Sequence, residues 1–235
     1  MNTIKKLIVI SVLAIMLTTV FAGCNIKKLD GVSKTAVQGD IIIDNIVISK
    51  KIDETQEYAG HDITFGTITV YGEIQNNSAD TRSLTLNITF YKGSKNHMFS
   101  ASGAVNDLSS GEKRIFSAFG WGDLNGFDFD NYDIEVTNNI KTAYNNPIIE
   151  FSNISAKTTS DYTIINGEAK NTDSKNRSFT YYVGAYDANG KLIGVADGAV
   201  NNMAADSIKT FSAISSSDLS SAIEYKTYVS TVTFM

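Results

Sequence analysis

The chain has little of several residue types that mark familiar classes of site. It contains one cysteine, one proline, one tryptophan and two histidines in 235 residues. A single cysteine excludes an internal disulfide, while two histidines and one proline exclude histidine-rich metal sites and proline-rich ligand segments. Lysine and arginine number 20 against 25 acidic residues, which gives a net charge of −5 and leaves no basic stripe. This charge balance argues against nucleic-acid binding.

Long hydrophobic runs are also missing, with one exception near the N-terminus. Residues 7–21 are apolar and follow Lys5 and Lys6 directly. The run is too short to span a bilayer, which requires ~20 residues. A basic start, an apolar stretch and small residues before a cleavage point predict a secretory signal peptide over residues 1–23.

The single cysteine follows this segment directly. Ala22-Gly23-Cys24 resembles the lipobox of bacterial lipoproteins, although Phe21 stands where that family usually carries Leu or another aliphatic residue. The resemblance implies that Cys24 is acylated, with palmitate or a similar fatty acid, and becomes the mature N-terminus. It also implies a lipid anchor on the extracytoplasmic face of the cell membrane. The alternative is a plain secretory signal followed by a chance cysteine.

The remainder of the chain contains an internal repeat. Segments match without a gap over some fifty residues at an offset of 95 positions (72 to 167), which indicates a duplication. The matching segments are 72–77 with 167–172, 103–106 with 198–201, and 116–118 with 211–213. Upstream, Asn45-Ile46 corresponds to Asn153-Ile154, so the first copy is longer, and we place its extra residues between Ser49 and Asp62.

Each copy has the pattern of short β-strands. Apolar residues alternate with polar ones over 84–91, and Gly190 can supply the positive φ of a tight hairpin turn before Leu192. About six or seven strands per copy predict an all-β fold of two tandem small antiparallel β-sandwich domains, immunoglobulin-like or transthyretin-like. We expect a signal peptide at 1–23, a flexible tether at 24–38, a first sandwich at 39–137, a linker at 138–147 and a second sandwich at 148–235.

Both copies resemble the FxLYD domain, a small β-sandwich module of bacterial and archaeal extracytoplasmic proteins. The signature positions read ITFYK at 88–92 and VGAYD at 183–187, and the preceding Gly and Asn pairs fit the same family. Residues 108–112 (LSSGE) and Phe116 fit it as well. The family's Phe is replaced in both copies, and Lys92 stands in place of its Asp. The resemblance implies two tandem FxLYD-like domains without established catalytic residues, and a looser one is to the telokin-like immunoprotective extracellular domain.

Residues 119–133 form an aromatic and acidic segment that the second copy lacks. Trp121 lies between two glycines, and we interpret its ring as a candidate platform for a sugar, with Asp123 and Asn125 hydrogen-bonding the hydroxyls. The alternative is structural: Phe119, Phe127 and Phe129 cap the sandwich edge, and Trp121 packs between the domains.

The acidic residues of this segment suggest a second possibility, a weak calcium site. Carboxylate oxygens suit calcium, and the candidate ligands are Asp123, Asp128, Asp130 and Asp133. Their spacing lacks the order of an EF-hand loop, so a solvated acidic loop is the competing interpretation. We expect no cofactor.

The residues that both copies share are interpreted as structural. We expect Tyr91 and Tyr186 to pack with one end in solvent, and Arg82 and Arg177 to be solvated. Catalysis has little support, because the two histidines, His61 and His97, have no partner cysteine and no HExxH spacing.

The sequence therefore predicts a non-catalytic, lipid-anchored binding or scaffold lipoprotein of the bacterial cell envelope. Its expected partners are the membrane, through the lipid on Cys24, and an envelope protein or glycan. Two alternatives are a carbohydrate-binding surface protein that uses Trp121 and a cryptic envelope hydrolase, which is the weaker of the two.

Overall fold

The structure is a computed structural model that describes residues 27–28, 35–58, 61–93, 96–142, 149–159 and 161–234. All regular structure in these residues is β-strand, and they include no helix. No helix long and apolar enough to cross a membrane is found in this part of the chain. The all-β prediction is confirmed. The predicted signal peptide and Cys24 lie outside the described residues.

The first sheet is antiparallel and is built from residues 27–141. Its order is β1-β3-β4-β7-β6-β5-β8, and β2 pairs with β3 beside this path. The strands are β1 (Lys27–Lys28), β2 (Ala36–Gln38), β3 (Ile41–Tyr58), β4 (His61–Asn76), β5 (Arg82–Lys92), β6 (Asn96–Leu108), β7 (Lys113–Asp123) and β8 (Asn131–Lys141).

The second sheet is antiparallel as well and is built from residues 149–234. Its order is β14-β11-β12-β13-β10-β9. The strands are β9 (Ile149–Thr158), β10 (Thr163–Asn171), β11 (Arg177–Tyr186), β12 (Leu192–Met203), β13 (Ile208–Ser215) and β14 (Glu224–Phe234). We refer below to residues 35–142 as the N-terminal half and to residues 149–234 as the C-terminal half.

Each sheet is creased at its middle into two layers. In the described residues β6 and β7 share a single registered pair, Ser102 with Phe119. At the equivalent place β12 and β13 share only Asp197 with Ile214. The strands on either side of the crease face each other and enclose an apolar core, which gives each half a sandwich-like form.

The alternating pattern of each strand supplies these cores. In β5 the apolar members Leu84, Leu86, Ile88 and Phe90 are all buried, while the intervening residues lie on the other face. In the C-terminal half the corresponding strand buries Phe179, Tyr181, Val183 and Ala185. The predicted turn before Leu192 is also present, since Gly190 has a φ of +73° and its N–H donates to the carbonyl of Asp187.

The duplication is visible in the contacts of one buried asparagine per half. Asn76 Nδ2 donates to the carbonyls of Asp80, Leu108 and Ser109. Asn171 repeats the arrangement with the carbonyls of Lys175, Met203 and Ala204, each 95 positions further on (80 to 175). Both side chains are fully buried, and both tie the end of one strand to the loop that leaves the opposite layer. These asparagines therefore hold the frame that the two halves share.

A second shared device is a bulge that faces a glycine. Asn45 and Asn153 both have positive φ, and the strand register shifts at each of them. Across the sheet lie Gly72 and Gly167, where a Cβ would meet an Ile side chain and a Phe ring at 2.5–2.7 Å. Glycine is required at both positions because the rings of Phe116 and Phe211 occupy that space.

The extra residues of the first copy lengthen one hairpin. β3 and β4 stay paired from Ile41↔Asn76 to Tyr58↔His61, whereas β9 and β10 pair only from Ile149↔Asn171 to Thr158↔Thr163. The longer hairpin brings Phe65 opposite Asp123 and so extends the sheet toward the aromatic segment.

The ends of the sheets differ from the expected boundaries at two places. β8 continues to Lys141 and pairs with β5 there, so the start of the predicted linker at 138–147 is strand. Within the predicted tether at 24–38, β1 and β2 pair with β3. Gln38 explains part of this, because its side chain accepts from the N–H of Val136 and donates to the carbonyl of the same residue.

Candidate functional site

Two aromatic side chains on β7 are exposed side by side. Trp121 is 60% exposed and Phe119 is 55% exposed, and both lie on the outer face of the strand. The inner face of the same strand buries Phe116 and Ala118 in the core. Exposed rings of this size on a rigid strand are unusual, because a large apolar side chain in water forgoes the free energy of burial.

Phe65 completes the group from the neighbouring strand. Its ring stacks on that of Trp121 with the centroids 5.3 Å apart and the planes 9° from parallel. We call Phe65, Phe119 and Trp121 the aromatic platform. The stack fixes the orientation of the Trp121 ring without burying it, so one face of the indole stays available to solvent.

The two polar residues predicted to bind with Trp121 are engaged by the fold. Asp123 Oδ1 accepts from the N–H groups of Thr64 and Asn125. Asn125 Nδ2 donates to the carbonyl of Asp62 at 2.8 Å. The structure thus places Asp123 and Asn125 beside the platform, where they hold the turn after β7 against the β3–β4 hairpin. A ligand role for them stays a prediction.

The remaining acidic residues of the segment lie in separate contacts. Asp128 and Asp130 both form ion pairs with Lys92, and Asp130 also accepts from the N–H of Gly93. The bond from Gly93, together with Lys92, holds the pKa of Asp130 below its ordinary value. Asp133 lies further along, on β8 opposite Thr89. The described residues contain no group of three or more metal-ligating side chains, and the calcium site stays a prediction.

Phe127 and Phe129 pack on the core of the N-terminal half. Both rings contact Phe90, with centroids 5.8 and 4.9 Å from its own. The expectation that they cap the sandwich is confirmed for these two rings. It is wrong for Phe119, whose ring is exposed on the platform, and Trp121 is not buried between the halves.

A cleft of about 610 Å³ lies next to the platform, between the two halves. One wall is the outer face of β3 and β4, including Lys51, Thr67 and Thr69. Thr67 pairs with Trp121 and Thr69 with Phe119, so the platform continues this wall by one strand. The opposite wall belongs to the C-terminal half and includes residues 193–195, Asp197 and residues 214–218. Platform and cleft together form one surface, which we call the groove.

The groove is lined by exposed acidic side chains. Asp161, Asp197 and Asp218 line it, whereas its lysine, Lys51, is paired with Asp53 at 2.9 Å. Partial burial raises the pKa of Asp197. Burial also raises the pKa of Tyr71, and the charge of Asp197 adds to that shift. This distribution favours a neutral or positively charged ligand over a polyanion.

The floor of the cleft is closed by an apolar cluster that joins the halves. Its buried members are Val47 and Ile115 from the N-terminal half and Tyr186, Leu192 and Val195 from the C-terminal half. Tyr71 and Tyr182 meet edge to face above it, with their centroids 6.0 Å apart.

A buried carboxylate lies at the centre of this contact. Glu73 is 3% exposed, and its Oε1 accepts from the hydroxyl of Tyr186 at 2.8 Å. Lys113 Nζ lies 2.7 Å from its other oxygen, to which Asn45 also donates. Burial raises the pKa of Glu73, but the bonds from Lys113, Asn45 and Tyr186 outweigh it and leave the pKa below its ordinary value.

Two expectations about the shared residues are wrong. Tyr186 is 1% exposed, because its hydroxyl is bound to Glu73 and lies 3.1 Å from that of Tyr228. Arg177 is 6% exposed, because it is folded back onto the carboxylate of Asp173. Tyr91 and Arg82, their counterparts, are half-buried.

The two histidines do not belong to the groove. His61 is exposed at the start of β4, and His97 is exposed on β6 with Nε2 2.9 Å from Ser100 Oγ. Neither lines the cleft. The residues that the sequence reasoning missed are those of the cleft and of the contact below it. Comparing the copies position by position offers a signal for them, because His97 and Ser100 stand where the second copy has Leu192 and Val195.

The chain matches no family model, and no curated protein matches it at a significant level. The resemblance to the FxLYD domain therefore stays a prediction that rests on the residues quoted above.

Proposed function

We propose that this protein is a non-catalytic, lipid-anchored binding or scaffold lipoprotein of the bacterial cell envelope, with the groove as its binding site. In this proposal Cys24 carries the lipid, and two tandem immunoglobulin-like or transthyretin-like sandwich domains project from the extracytoplasmic face of the membrane. The observation that carries the binding role is the pair of exposed rings, Phe119 and Trp121, fixed on a rigid strand beside a cleft.

The composition of the groove supports binding rather than catalysis. Its titratable residues are three aspartates, Lys51 and Tyr71, and both histidines lie elsewhere. A hydrolase requires a nucleophile, a base and a group that orients the base within reach of one another. The groove instead offers rings, hydroxyls and carboxylates, which are the groups expected in a site that recognises a ligand by shape and hydrogen bonding.

A glycan is the ligand class that this surface favours. Sugar rings present C–H groups that stack on an indole face, and their hydroxyls bond to threonine, serine and aspartate side chains. Thr67, Thr69 and Ser49 lie on the same outer face as the platform, since cross-strand partners share a face. The acidic lining disfavours phosphate-rich polymers, so we propose a neutral or amino-bearing glycan. An envelope protein is the alternative partner.

Retention on immobilised cell-wall glycans tests the ligand class. The full chain is expected to be retained, and Trp121→Ala is expected to lose retention because the platform loses its central ring. Ile208→Ala is the matched control, since Ile208 is comparably exposed but lies outside the groove. Equal retention of wild type and Trp121→Ala would refute the glycan proposal.

Fractionation of the native cells tests the anchor separately. Wild type is expected in the membrane fraction and Cys24→Ser in the soluble fraction, because the substitution removes the acylated sulfur. A Cys24→Ser protein that stayed fixed to membranes would refute the lipid anchor.

A further inference from the structure

We propose that the contact beneath the cleft is an interaction surface dedicated to this one pairing, which makes the two halves a single rigid body. The partner of each face is the other half of the same chain. Because the two walls of the cleft belong to different halves, this docking also sets the width of the groove.

The apolar residues of the contact belong to neither sandwich core. Val47, Ile115, Leu192 and Val195 are buried, yet they pack with one another across the halves and not with the residues inside either sandwich. Each of them lies on an outer face. Without the other half these side chains would be exposed, so their burial depends on docking.

The duplication supplies an internal control for this surface. At the equivalent positions the other copy carries a polar residue in every case, and each of these residues is exposed. The pairs are Val47 with Ser155, Ile115 with Thr210, Leu192 with His97 and Val195 with Ser100. Apolar residues therefore occur on the faces that are covered and are replaced on the faces that are free. This is the pattern of a surface that is selected for one contact.

Gly184, which lies against Ile115 of the other half, shows the same difference between the copies. A Cβ on Gly184 would lie 2.7 Å from Cδ1 of Ile115 and 2.9 Å from the ring of Tyr186. The first copy has Thr89 at this position, where the strand faces no partner half. Gly184 lies inside β11, where glycine weakens a strand. The approach of Ile115 from the other half explains why glycine occurs at this strand position.

The polar residues at the centre of the contact have identical counterparts on the two faces that no partner half covers. Glu168 corresponds to Glu73, and Tyr91 corresponds to Tyr186. Asn153 donates to Glu168 as Asn45 donates to Glu73. The free faces therefore retain the hydrogen-bonding groups but have no equivalent of Val47, Ile115, Leu192 and Val195. We therefore assign the docking of the halves to these apolar residues and to the space at Gly184.

Gly184→Thr is the sharpest perturbation, because it gives β11 the residue of the other copy and favours strand structure. We expect the halves to separate: the radius of gyration from small-angle X-ray scattering should rise, and one thermal unfolding transition should become two. Thr89→Ala, at the equivalent free position, should change neither quantity.

A second variant approaches the same contact from the other half. Val47→Ser combined with Ile115→Thr installs the residues of the second copy and should produce the same two changes. Far-UV circular dichroism confirms that the β-sheets persist in each variant. An unchanged radius of gyration with a single transition in either folded variant would overturn the proposal, as would two separate transitions in the wild type.

Discussion

The hydrogen bond between Tyr186 and Glu73 offers the most direct perturbation of the contact between the halves. Tyr186→Phe removes one oxygen and leaves the ring, so apolar packing in the cluster of Val47 and Leu192 is preserved. The lost hydroxyl donates to a carboxylate that is 3% exposed. We therefore expect a loss of stability without a cavity.

The magnitude follows from the charge of the acceptor. A hydrogen bond to a charged group contributes about 1.5–3 kcal/mol to stability, compared with about 1 kcal/mol for a neutral pair. Glu73 keeps the bonds from Asn45 and Lys113, which limits the cost of the missing donor. The hydroxyl of Tyr228 also loses a neighbour at 3.1 Å. We expect Tyr186→Phe to lower the free energy of unfolding by about 2 kcal/mol.

The duplication provides the control for this measurement. Tyr91 occupies the equivalent position in the first copy, is half-buried and faces no partner half. Tyr91→Phe is expected to change the free energy of unfolding by less than about 0.5 kcal/mol. Urea denaturation followed by circular dichroism measures both variants, and linear extrapolation gives the free energies in water.

A double-mutant cycle then assigns the loss to the pair. Glu73→Gln alone and together with Tyr186→Phe should give a coupling energy of about 1 kcal/mol or more. If Tyr186→Phe cost no more than Tyr91→Phe, or the coupling energy were near zero, the bond between Tyr186 and Glu73 would not stabilise the fold and this reasoning would be refuted.

Three further predictions concern the charge and the shared frame. The pKa of Glu73 in the folded protein lies below its usual value of 4.5. Its contribution to stability is therefore complete above pH 4.5 and is lost as the pH falls through the pKa of the folded state. The urea midpoint of Glu73→Gln should therefore depend less on pH between pH 6 and pH 3 than the midpoint of the wild type does. Asn171→Ala should lower the free energy of unfolding by about 2–3 kcal/mol, because three carbonyls lose a buried donor, and an effect below about 0.5 kcal/mol in urea denaturation would contradict the assignment. Gly167→Ala should cost about 1–3 kcal/mol by the same assay, since its Cβ would lie 2.7 Å from the ring of Phe211.

The sequence was sufficient for the β-class, the strands and the repeat. Period-two alternation over 84–91 predicts β5 because a half-buried strand has no other pattern, and the glycine of 187–190 predicts its turn for an equally local reason. The ungapped offset correctly relates Asn76 to Asn171, since the same side chain makes the same three bonds.

The contact between the halves was not predictable from such local patterns. Tyr186 and Tyr91 are identical residues at equivalent positions, yet one is buried and the other half-buried, because only one of them faces Glu73 of the other half. Arg177 is buried through Asp173, where the first copy has Ser78. Differences between the copies at outward-facing positions would have indicated the surface, because a docked face and a free face select different residues.

The exposure of Trp121 was the open question for the site. The sequence allowed a buried ring between the domains or an exposed platform, because a Trp between two glycines fits either. The Trp121 ring is exposed in the structure because the β3–β4 hairpin places Phe65 where its ring stacks on Trp121 at the surface. Nothing in the local sequence of Trp121 encodes that contact.

The most direct test of the proposed binding site is the fluorescence of the single tryptophan in the full chain. Iodide should quench Trp121 readily, and soluble fragments of cell-wall glycan should shift its emission saturably and protect it from iodide. Asp197→Asn should retain the iodide quenching, because Asp197 lies across the cleft from the platform. Ready quenching with no response to any envelope glycan would contradict the glycan as ligand, and emission inaccessible to iodide would contradict the groove itself.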